Sequence, residues 1–170
     1  GDMKAGIVAF TMAYKALQTM GLQPAAPVYL QTVIEEECTG NGALACLARG
    51  YTADAAVITE PTGKQLMTAQ LGVMWFRVTV RGKPAHVAVA SEGVNAIEGA
   101  FDLVRALKVL EESWNQDDQR HEMYEGMRHP VNFNLGVIHG CEWPSSVPTE
   151  CTFQMRVGFF PGIKPATVWA

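Results

Sequence analysis

The 170-residue sequence lacks the features that mark several large classes of protein. It has no run of lysine and arginine and a formal net charge of -4, so it offers no basic surface of the kind that nucleic-acid binding needs. No apolar stretch reaches the roughly 18 residues required to cross a bilayer, and the first residues show no signal-peptide pattern. We therefore expect neither a nucleic-acid partner nor a membrane partner.

Paired cysteine motifs are also missing. The four cysteines are scattered and none has C-x-x-C spacing: Cys38, Cys46, Cys141 and Cys151. Such usage is typical of a reduced, cytoplasmic protein whose thiols serve as small packing residues. An initiator methionine is absent too, and the sequence closes on PATVWA, the start of a helix with Pro165 in its first turn. We expect the chain to be a fragment of a longer protein.

The first 67 residues are predicted to form part of an α/β domain. Apolar residues at helical spacing predict a helix over residues 4–20, with Gly21 as its stop. Runs of β-branched and apolar residues predict strands over 27–35 and 55–61, and a short helix is predicted between them over 41–50. Alternating helices and strands of these lengths indicate a parallel sheet.

From residue 68 onward the pattern is that of a smaller α+β domain. Elements are predicted in the order β-α-β-β, over 71–83, 93–114, 131–140 and 150–160. The polar segment over 115–130 is predicted to be a mobile loop. With a helix beginning at Pro165, these elements make up most of a ferredoxin-like unit. The sequence therefore predicts two domains, 1–67 and 68–170, the second incomplete at its C-terminus.

Acidic residues lie at the ends of both strands predicted in the first domain. Asp2 precedes the first helix, three glutamates (residues 35–37) end the first strand, and Glu60 ends the second. Carboxylates delivered to one edge of a parallel sheet would suit a divalent metal, with a spare glutamate as general base for a metal-activated water. On spacing alone a helix-capping Asp2, a solvated glutamate run and a turn at Glu60 are favoured over this site.

A resemblance shifts that balance towards the metal site. Four motifs occur in the order and at about the spacing found in the dinuclear zinc amidohydrolases: GDMKAG, EEECTGNGA, ITEPTG and GKPAHVAVASEGVNAI. That family contains acetylornithine deacetylase, succinyl-diaminopimelate desuccinylase and carboxypeptidase G, and the similarity runs over essentially the whole chain. The stretch GCEWPSSVPTECTFQMRVGFFPG is similar to the acetylornithine deacetylase-like subgroup. The resemblance implies a partial αβα metallohydrolase domain followed by most of a ferredoxin-like lid and dimerisation domain.

The resemblance also implies a role for each acidic residue. Asp2 would bridge two divalent metal ions, zinc foremost, with cobalt and manganese as alternatives. Glu36 would be the general base that deprotonates the bridging water. Glu37 would bind one metal and Glu60 the other, while Glu35 takes the first place of the family's acidic motif.

Three further residues acquire roles in the second domain. His86 would reach the active site of a partner chain in a homodimer and hydrogen-bond the oxyanion of the tetrahedral intermediate. Arg156 would hold a substrate carboxylate through its bidentate fork. Ser146 occupies the place where many relatives have an asparagine that contacts substrate, so it is a candidate substrate-binding residue.

Two elements of the family pattern fall outside residues 1–170: an upstream histidine-x-aspartate motif and a last metal-binding histidine. One histidine ligand for each metal is therefore missing, and we expect these residues alone to be catalytically inactive. The parent protein is expected to be a metal-dependent hydrolase that cleaves the amide bond of an N-acyl amino acid or small peptide.

Two other functions remain open from the sequence. The chain could be a non-catalytic dimerisation or binding module that pairs through a sheet edge and the 93–114 helix. It could also be a glycosidase that uses the carboxylates of Glu36 and Glu60 and needs no metal.

Overall fold

A computed structural model describes residues 2–140 and 143–169, and the chain divides into two compact units, Gly1–Met67 and Thr68–Ala170. The first unit contains the helices α1 (Lys4–Thr19) and α2 (Asn41–Ala48). The second contains the strands β1 (Gly72–Arg81), β2 (Phe133–Gly140) and β3 (Glu150–Phe159) and the helices α3 (Ala96–Trp114) and α4 (Pro165–Trp169). Cys141 lies outside the described residues. The fold is mixed α/β, with a small antiparallel sheet in the second unit.

Both helices of the first unit end as the sequence predicts. Gly21 adopts a left-handed φ of 73°, which an L side chain rarely tolerates. The N–H of Leu22 donates to the carbonyl of Leu17 at 3.0 Å, which completes the closing turn expected at a glycine stop. The same arrangement recurs after α2, where Gly50 has a φ of 88°. Glycine therefore terminates both helices through its freedom at positive φ.

The strands predicted over 27–35 and 55–61 are absent from the described residues of the first unit. Their apolar side chains are exposed instead; Ile34 is 74% and Val57 is 89% accessible to solvent. A strand forms only against a hydrogen-bonded neighbour, and no neighbouring strand occurs in the described part of this unit. The prediction of strands here was therefore wrong. β-Propensity measures how well a residue packs on an existing sheet, so it cannot by itself produce a strand where no sheet is present.

The second unit is built on a three-stranded antiparallel sheet with the order β1-β3-β2. β3 lies in the centre and pairs with β1 from Gly72↔Phe159 to Arg81↔Glu150 without a shift in register. Its pairing with β2 contains one irregularity, between Leu135 and Val137. The four predicted elements β1, α3, β2 and β3 are all present, within a few residues of their predicted bounds.

The core of this unit lies between α3 and one face of the sheet. Alternate residues of β3 point into it; Phe153 is fully buried and Met155 is 1% exposed. The face of α3 that covers them carries small residues, including Ala96 and Ala100, so the helix can approach the strands closely. Cys151 belongs to the same cluster and serves as a small packing residue, as predicted. Cys38 is exposed, so the predicted packing role does not apply to it.

The segment over 115–130 is more ordered than the predicted mobile loop. Asn115, at the end of α3, accepts a hydrogen bond from the N–H of Val131 at 3.0 Å and donates one to its carbonyl at 2.9 Å. These two bonds clamp the end of the segment to its beginning. Tyr124, in the middle of the segment, packs into the core, and its ring centroid lies 5.5 Å from that of Phe160.

A buried carboxylate lies beside this clamp. Glu111 is 4% exposed and accepts a hydrogen bond from Lys108 at 2.5 Å, with the His129 ring nitrogen at 3.1 Å. Burial acts to raise the pKa of this carboxyl. Hydrogen bonds from Lys108, from the backbone of Phe133 and from His129 outweigh burial, so the pKa of Glu111 lies below its ordinary value of 4.5.

None of the described helices is long and apolar enough to span a bilayer.

We expect Glu111→Gln to lower the free energy of unfolding at pH 7 by about 1–3 kcal/mol, because it removes the negative charge that pairs with the Lys108 ammonium and weakens their hydrogen bond. A carboxyl whose pKa is depressed on folding stabilises the protein above its unfolded pKa, near 4.5, and loses that contribution as the pH falls through the folded value. Urea unfolding between pH 3 and pH 7 should therefore show a smaller acid-induced loss in the variant. Glu92→Gln, which changes an exposed carboxylate without an ion pair in the described part of the chain, is the control and should behave like the parent sequence.

Tyr124→Phe should leave stability unchanged or raise it by up to about 1 kcal/mol. The Tyr124 hydroxyl is buried and has no hydrogen-bond partner among the described residues, so its removal relieves a desolvated polar group. Thermal unfolding measures the effect, with Tyr51→Phe, at an exposed ring, as the control. A clear drop in Tm for Tyr124→Phe would contradict the assignment of an unsatisfied hydroxyl.

Candidate functional site

Asp2 lies at the start of α1 but does not cap it. The N-cap residue is Met3, and no side chain within the described residues caps the first turn. The carboxylate of Asp2 is exposed and is therefore not committed to the helix. Gly6, one turn further on, packs against the segment that carries Glu60: a Cβ at this glycine would lie 2.4 Å from the carbonyl oxygen of Thr59. This contact brings the beginning of α1 next to Glu60.

The acidic segment over 35–37 is folded around the backbone of Glu35. This residue has a positive φ of 62°, and its carbonyl accepts hydrogen bonds from the N–H groups of Thr39 at 3.2 Å and Gly40 at 2.8 Å. The Thr39 hydroxyl donates to the Glu35 carboxylate as well. Glu35 is thus occupied in forming the loop, while the carboxylates of Glu36 and Glu37 remain exposed.

A second close backbone contact fixes where this loop begins. A Cβ at Gly42, in the first turn of α2, would lie 2.4 Å from the carbonyl oxygen of Ile34. The helix can therefore lie directly against the residue before the glutamates only because position 42 has no side chain. Thr39 and Gly42 shape the acidic segment without carrying charge, and nothing in the sequence pattern assigned this structural role to either.

The four predicted acids share one electrostatic environment. Burial raises the pKa of the Glu60 carboxyl above its ordinary value. Charge repulsion raises it further, from three neighbours that contribute in the order Glu36, Asp2 and Glu37. The structure thus brings together the residues predicted as base and metal ligands, at least to the distance at which their charges interact. A cation among them would remove this repulsion.

The described residues nevertheless do not form a complete metal centre. No group of three or more His, Cys, Asp or Glu side chains in the described part of the chain is arranged to hold a metal ion. The available donors near Glu60 are carboxylate oxygens, whereas zinc favours nitrogen and sulfur. Two zinc ions therefore do not fit these residues alone.

Two predicted residues of the second unit lie directly opposite each other. His86 and Ser146 form an isolated antiparallel bridge that joins the segment after β1 to the segment before β3. Backbone hydrogen bonds on either side hold it, from Val87 to Ser145 at 3.1 Å and from Val147 to Ala85 at 2.9 Å. His86 and Ser146 are therefore positioned as one structural feature, which their separation of 60 residues in sequence does not reveal.

The side chains at this bridge have defined hydrogen bonds. The Nδ1 atom of His86 accepts the N–H of Ala88 at 3.2 Å, so in the neutral ring the proton is on Nε2. The ring is exposed and Nε2–H is available as a donor. Ser146 donates its hydroxyl to the carbonyl of Trp143 at 3.2 Å, which closes the turn at the bridge. The bridge thus presents a histidine donor suited to stabilising an oxyanion.

Arg156 lies at the centre of β3, on the face of the sheet turned away from α3. Its strand partners are Trp75 on β1 and Asn134 on β2. The side chain is half-buried and no ion pair within the described residues engages it. A guanidinium in this position can accept a carboxylate from solvent.

The chain is similar to known proteins along most of its length. Residues 68–170 match a family model described as a peptidase dimerisation domain. The chain is 27% identical over 170 residues to an N-formyl-4-amino-5-aminomethyl-2-methylpyrimidine deformylase of Halalkalibacterium halodurans, covering 94% of this chain and 39% of that protein. It is 30% identical over 144 residues to an acetylornithine deacetylase of Pectobacterium carotovorum, covering 81% of this chain and 35% of that protein.

A third relative is the Staphylococcus aureus protein named "Probable succinyl-diaminopimelate desuccinylase". The identity is 27% over 175 residues, covering 92% of this chain and 43% of that protein. The chain therefore spans about two fifths of the length of the curated relatives that it matches.

We expect ¹⁵N NMR of the imidazole rings to find neutral His86 in the Nε2–H form, because the Ala88 N–H occupies Nδ1. Ala88→Pro removes that donor in the first turn of a short 3₁₀ helix, where proline is tolerated, and should give a mixture of tautomers. His139 is an exposed ring on β2 that serves as the internal reference. A dominant Nδ1–H form of His86 would contradict the assigned donor.

Proposed function

We propose that the parent protein is a metal-dependent amide hydrolase. Its substrates would be N-acyl amino acids or small peptides. The chain belongs to the M20 peptidase family, because residues 68–170 match the dimerisation domain of that family. The observation that carries the proposal is the electrostatic coupling of Glu60 to Asp2, Glu36 and Glu37. Carboxylates from three separate segments repel one another at Glu60, and a divalent cation bound there would relieve that repulsion.

In this proposal the oxygen ligands come from three residues. Asp2 would be a ligand shared by two divalent metal ions, Glu37 would bind one of them and Glu60 would bind the other. The remaining ligands would come from residues other than those described, and zinc is the metal proposed, with cobalt or manganese as alternatives. Bound metal would supply polarisation of the water and of the amide carbonyl.

Glu36 is proposed as the general base. Its carboxylate would take a proton from water as the water oxygen attacks the amide carbonyl carbon. When the tetrahedral intermediate collapses and the carbon–nitrogen bond breaks, Glu36 would return that proton to the leaving amine. The exposed carboxylate, free of hydrogen bonds within the described residues, is consistent with this role.

His86 and Arg156 are proposed to act on the substrate from the second unit. The Nε2–H of His86 from a second copy of the chain would donate to the oxyanion, which its Nδ1 contact with Ala88 favours. Arg156 would hold a substrate carboxylate, and Ser146 would lie beside the substrate through its bridge to His86. This arrangement requires a homodimer.

The two units are proposed to be a part of an αβα catalytic domain, residues 1–67, and a ferredoxin-like lid and dimerisation domain, residues 68–170. The strand order β1-β3-β2 with a helix between β1 and β2 supports the second description. A cytoplasmic location is proposed as well, and the free thiols of Cys38, Cys46 and Cys151 support it.

A second function is favoured by one observation. All the buried hydrophobic residues in the described part of the chain belong to the second unit, the same unit that matches a dimerisation domain. These 170 residues by themselves would then act as a dimerisation module without turnover. Metal analysis of the parent protein separates the two functions: about two divalent ions per chain support the hydrolase, and none supports the module.

Glu36→Gln in the parent protein should retain its metal and lower kcat by about 10²–10⁴-fold, since the amide cannot accept the proton of the attacking water. Metal content by atomic emission and hydrolysis of an N-acetyl amino acid measure both effects. Glu35→Gln is the matched control: it makes the same change one residue earlier, and the new amide oxygen can still accept the Thr39 hydroxyl. Unchanged turnover in Glu36→Gln would refute the base assignment.

A further inference from the structure

The outer face of the sheet in the second unit, the face turned away from α3, has an unusual composition. Alternate residues of β1 and β3 contribute to it, and in β2 the alternation shifts by one residue at the irregularity between Leu135 and Val137. The residues on this face are Trp75, Arg77, Thr79 and Arg81 from β1, Glu150, Thr152, Gln154 and Arg156 from β3, and Asn134, Val137 and His139 from β2. Most of these residues are polar or charged, and several are exposed; Trp75 is 59% accessible.

Two side-chain contacts establish that these residues share one face. The hydroxyls of Thr79 and Thr152 lie 3.3 Å apart, and Arg81 Nε lies 3.9 Å from Glu150 Oε2. Side chains alternate between faces along a strand, so residues two positions along on each strand project the same way. Arg77 and Arg156 therefore lie on this outer face together.

The outer face is locally positive although the chain as a whole carries a net charge of -4. Glu150 is the single acidic residue among the described residues of this face, and Arg81 already pairs with that carboxylate. Arg77 and Arg156 have no ion-pair partner in the described part of the chain. Two guanidinium groups thus share one side of the sheet without a carboxylate partner among the described residues, so an anion there would be attracted by both.

The register brings the two arginines within reach of one ligand. Arg77 is opposite Gln154, and Trp75 is opposite Arg156, so the arginines are diagonal neighbours on adjacent strands. Diagonal neighbours in an antiparallel pair are about 7–8 Å apart, with their Cβ atoms somewhat closer, a distance that two long side chains can span. Both forks can then converge on a single carboxylate with charge-assisted hydrogen bonds.

We propose that Arg77 is the second guanidinium of a subsite on this outer face that binds the carboxylate of a small N-acyl amino acid or peptide. Arg77 and Arg156 hold the carboxylate from two strands, and the exposed ring of Trp75 provides an apolar wall for the adjoining side chain of the ligand. The identity of the ligand rests on the proposed function. The face itself, with its two arginines, does not depend on it.

The test is an NMR titration of the 170-residue chain that follows the arginine Nε–H and tryptophan indole signals. The probe is N-acetyl-L-alanine, and its uncharged analogue N-acetyl-L-alaninamide is titrated in parallel. We expect the carboxylate to shift the signals of Arg77, Arg156 and Trp75, and the amide to leave them in place. Equal shifts with the amide would overturn the proposal, because recognition would then not involve the charge.

Variants assign the binding to specific residues. Arg77→Gln should raise the Kd for N-acetyl-L-alanine about five- to tenfold, which is the loss of about one charge-assisted hydrogen bond. Arg77→Lys should recover part of that loss, since it keeps the charge without the fork. Arg105→Gln removes the same charge from the exposed surface of α3, where Arg105 pairs with Asp102, and should leave the Kd unchanged. An equal rise in Kd for Arg105→Gln and Arg77→Gln would overturn the subsite in favour of a general charge effect.

The outcome is separable from that of the hydrolase proposal. Binding to the 170-residue chain needs no turnover, so an inactive parent protein would leave the subsite intact. An unchanged Kd in Arg77→Gln would overturn the subsite and leave the hydrolase proposal standing. A dilution series without ligand completes the test: concentration-dependent shifts at Trp75 and Arg77 would show that a second copy of the chain covers this face, which also overturns the proposal.

Discussion

Side-chain alternation along β3 is the constraint on which the second unit depends. β3 pairs with a strand on each side, so one set of its residues must face α3 and the other set must face away. Phe153 and Met155 build the core on the first face. Arg156 lies between the buried residues Met155 and Val157 in sequence, so it must lie on the second face. A slip of one residue would bury the arginine and expose the core, so the register that stabilises the unit also positions its candidate ligand residue.

The first unit is governed by close backbone approach instead of a core. Gly6 and Gly42 let two helices lie against Thr59 and Ile34, and these contacts bring Asp2 and the glutamate segment towards Glu60. Their carboxylates then repel one another, an effect that is strongest where water is partly excluded. Glu60 is half-buried and carries the raised pKa, whereas the exposed neighbours share their charge with solvent. Water thus relieves part of the repulsion, and a cation would relieve the part that falls on Glu60.

Local signals in the sequence predicted local structure well. Gly21 and Gly50 ended their helices because positive φ is a property of single residues. The strands over 27–35 and 55–61 could not be predicted in this way, because a strand exists only with a neighbour. The convergence of the four acids was favoured only through a family resemblance, and the bridge of His86 to Ser146 was not expected at all. Both depend on tertiary contacts that join residues far apart in sequence.

The same difference between local and tertiary signals explains why the sequence predicts Arg156, but not Arg77, as a ligand-binding residue. A motif identifies a residue by its neighbours in sequence, and the arginine of QMRVG lies within one. Arg77 gains meaning only from the strand register, which sets it diagonally beside Arg156 on a face with one acid that is already paired. The two guanidinium groups lie at diagonal positions, where both can reach one anion. No carboxylate among the described residues of this face is free to pair with them, and an anionic ligand is the partner that the chemistry of this face favours.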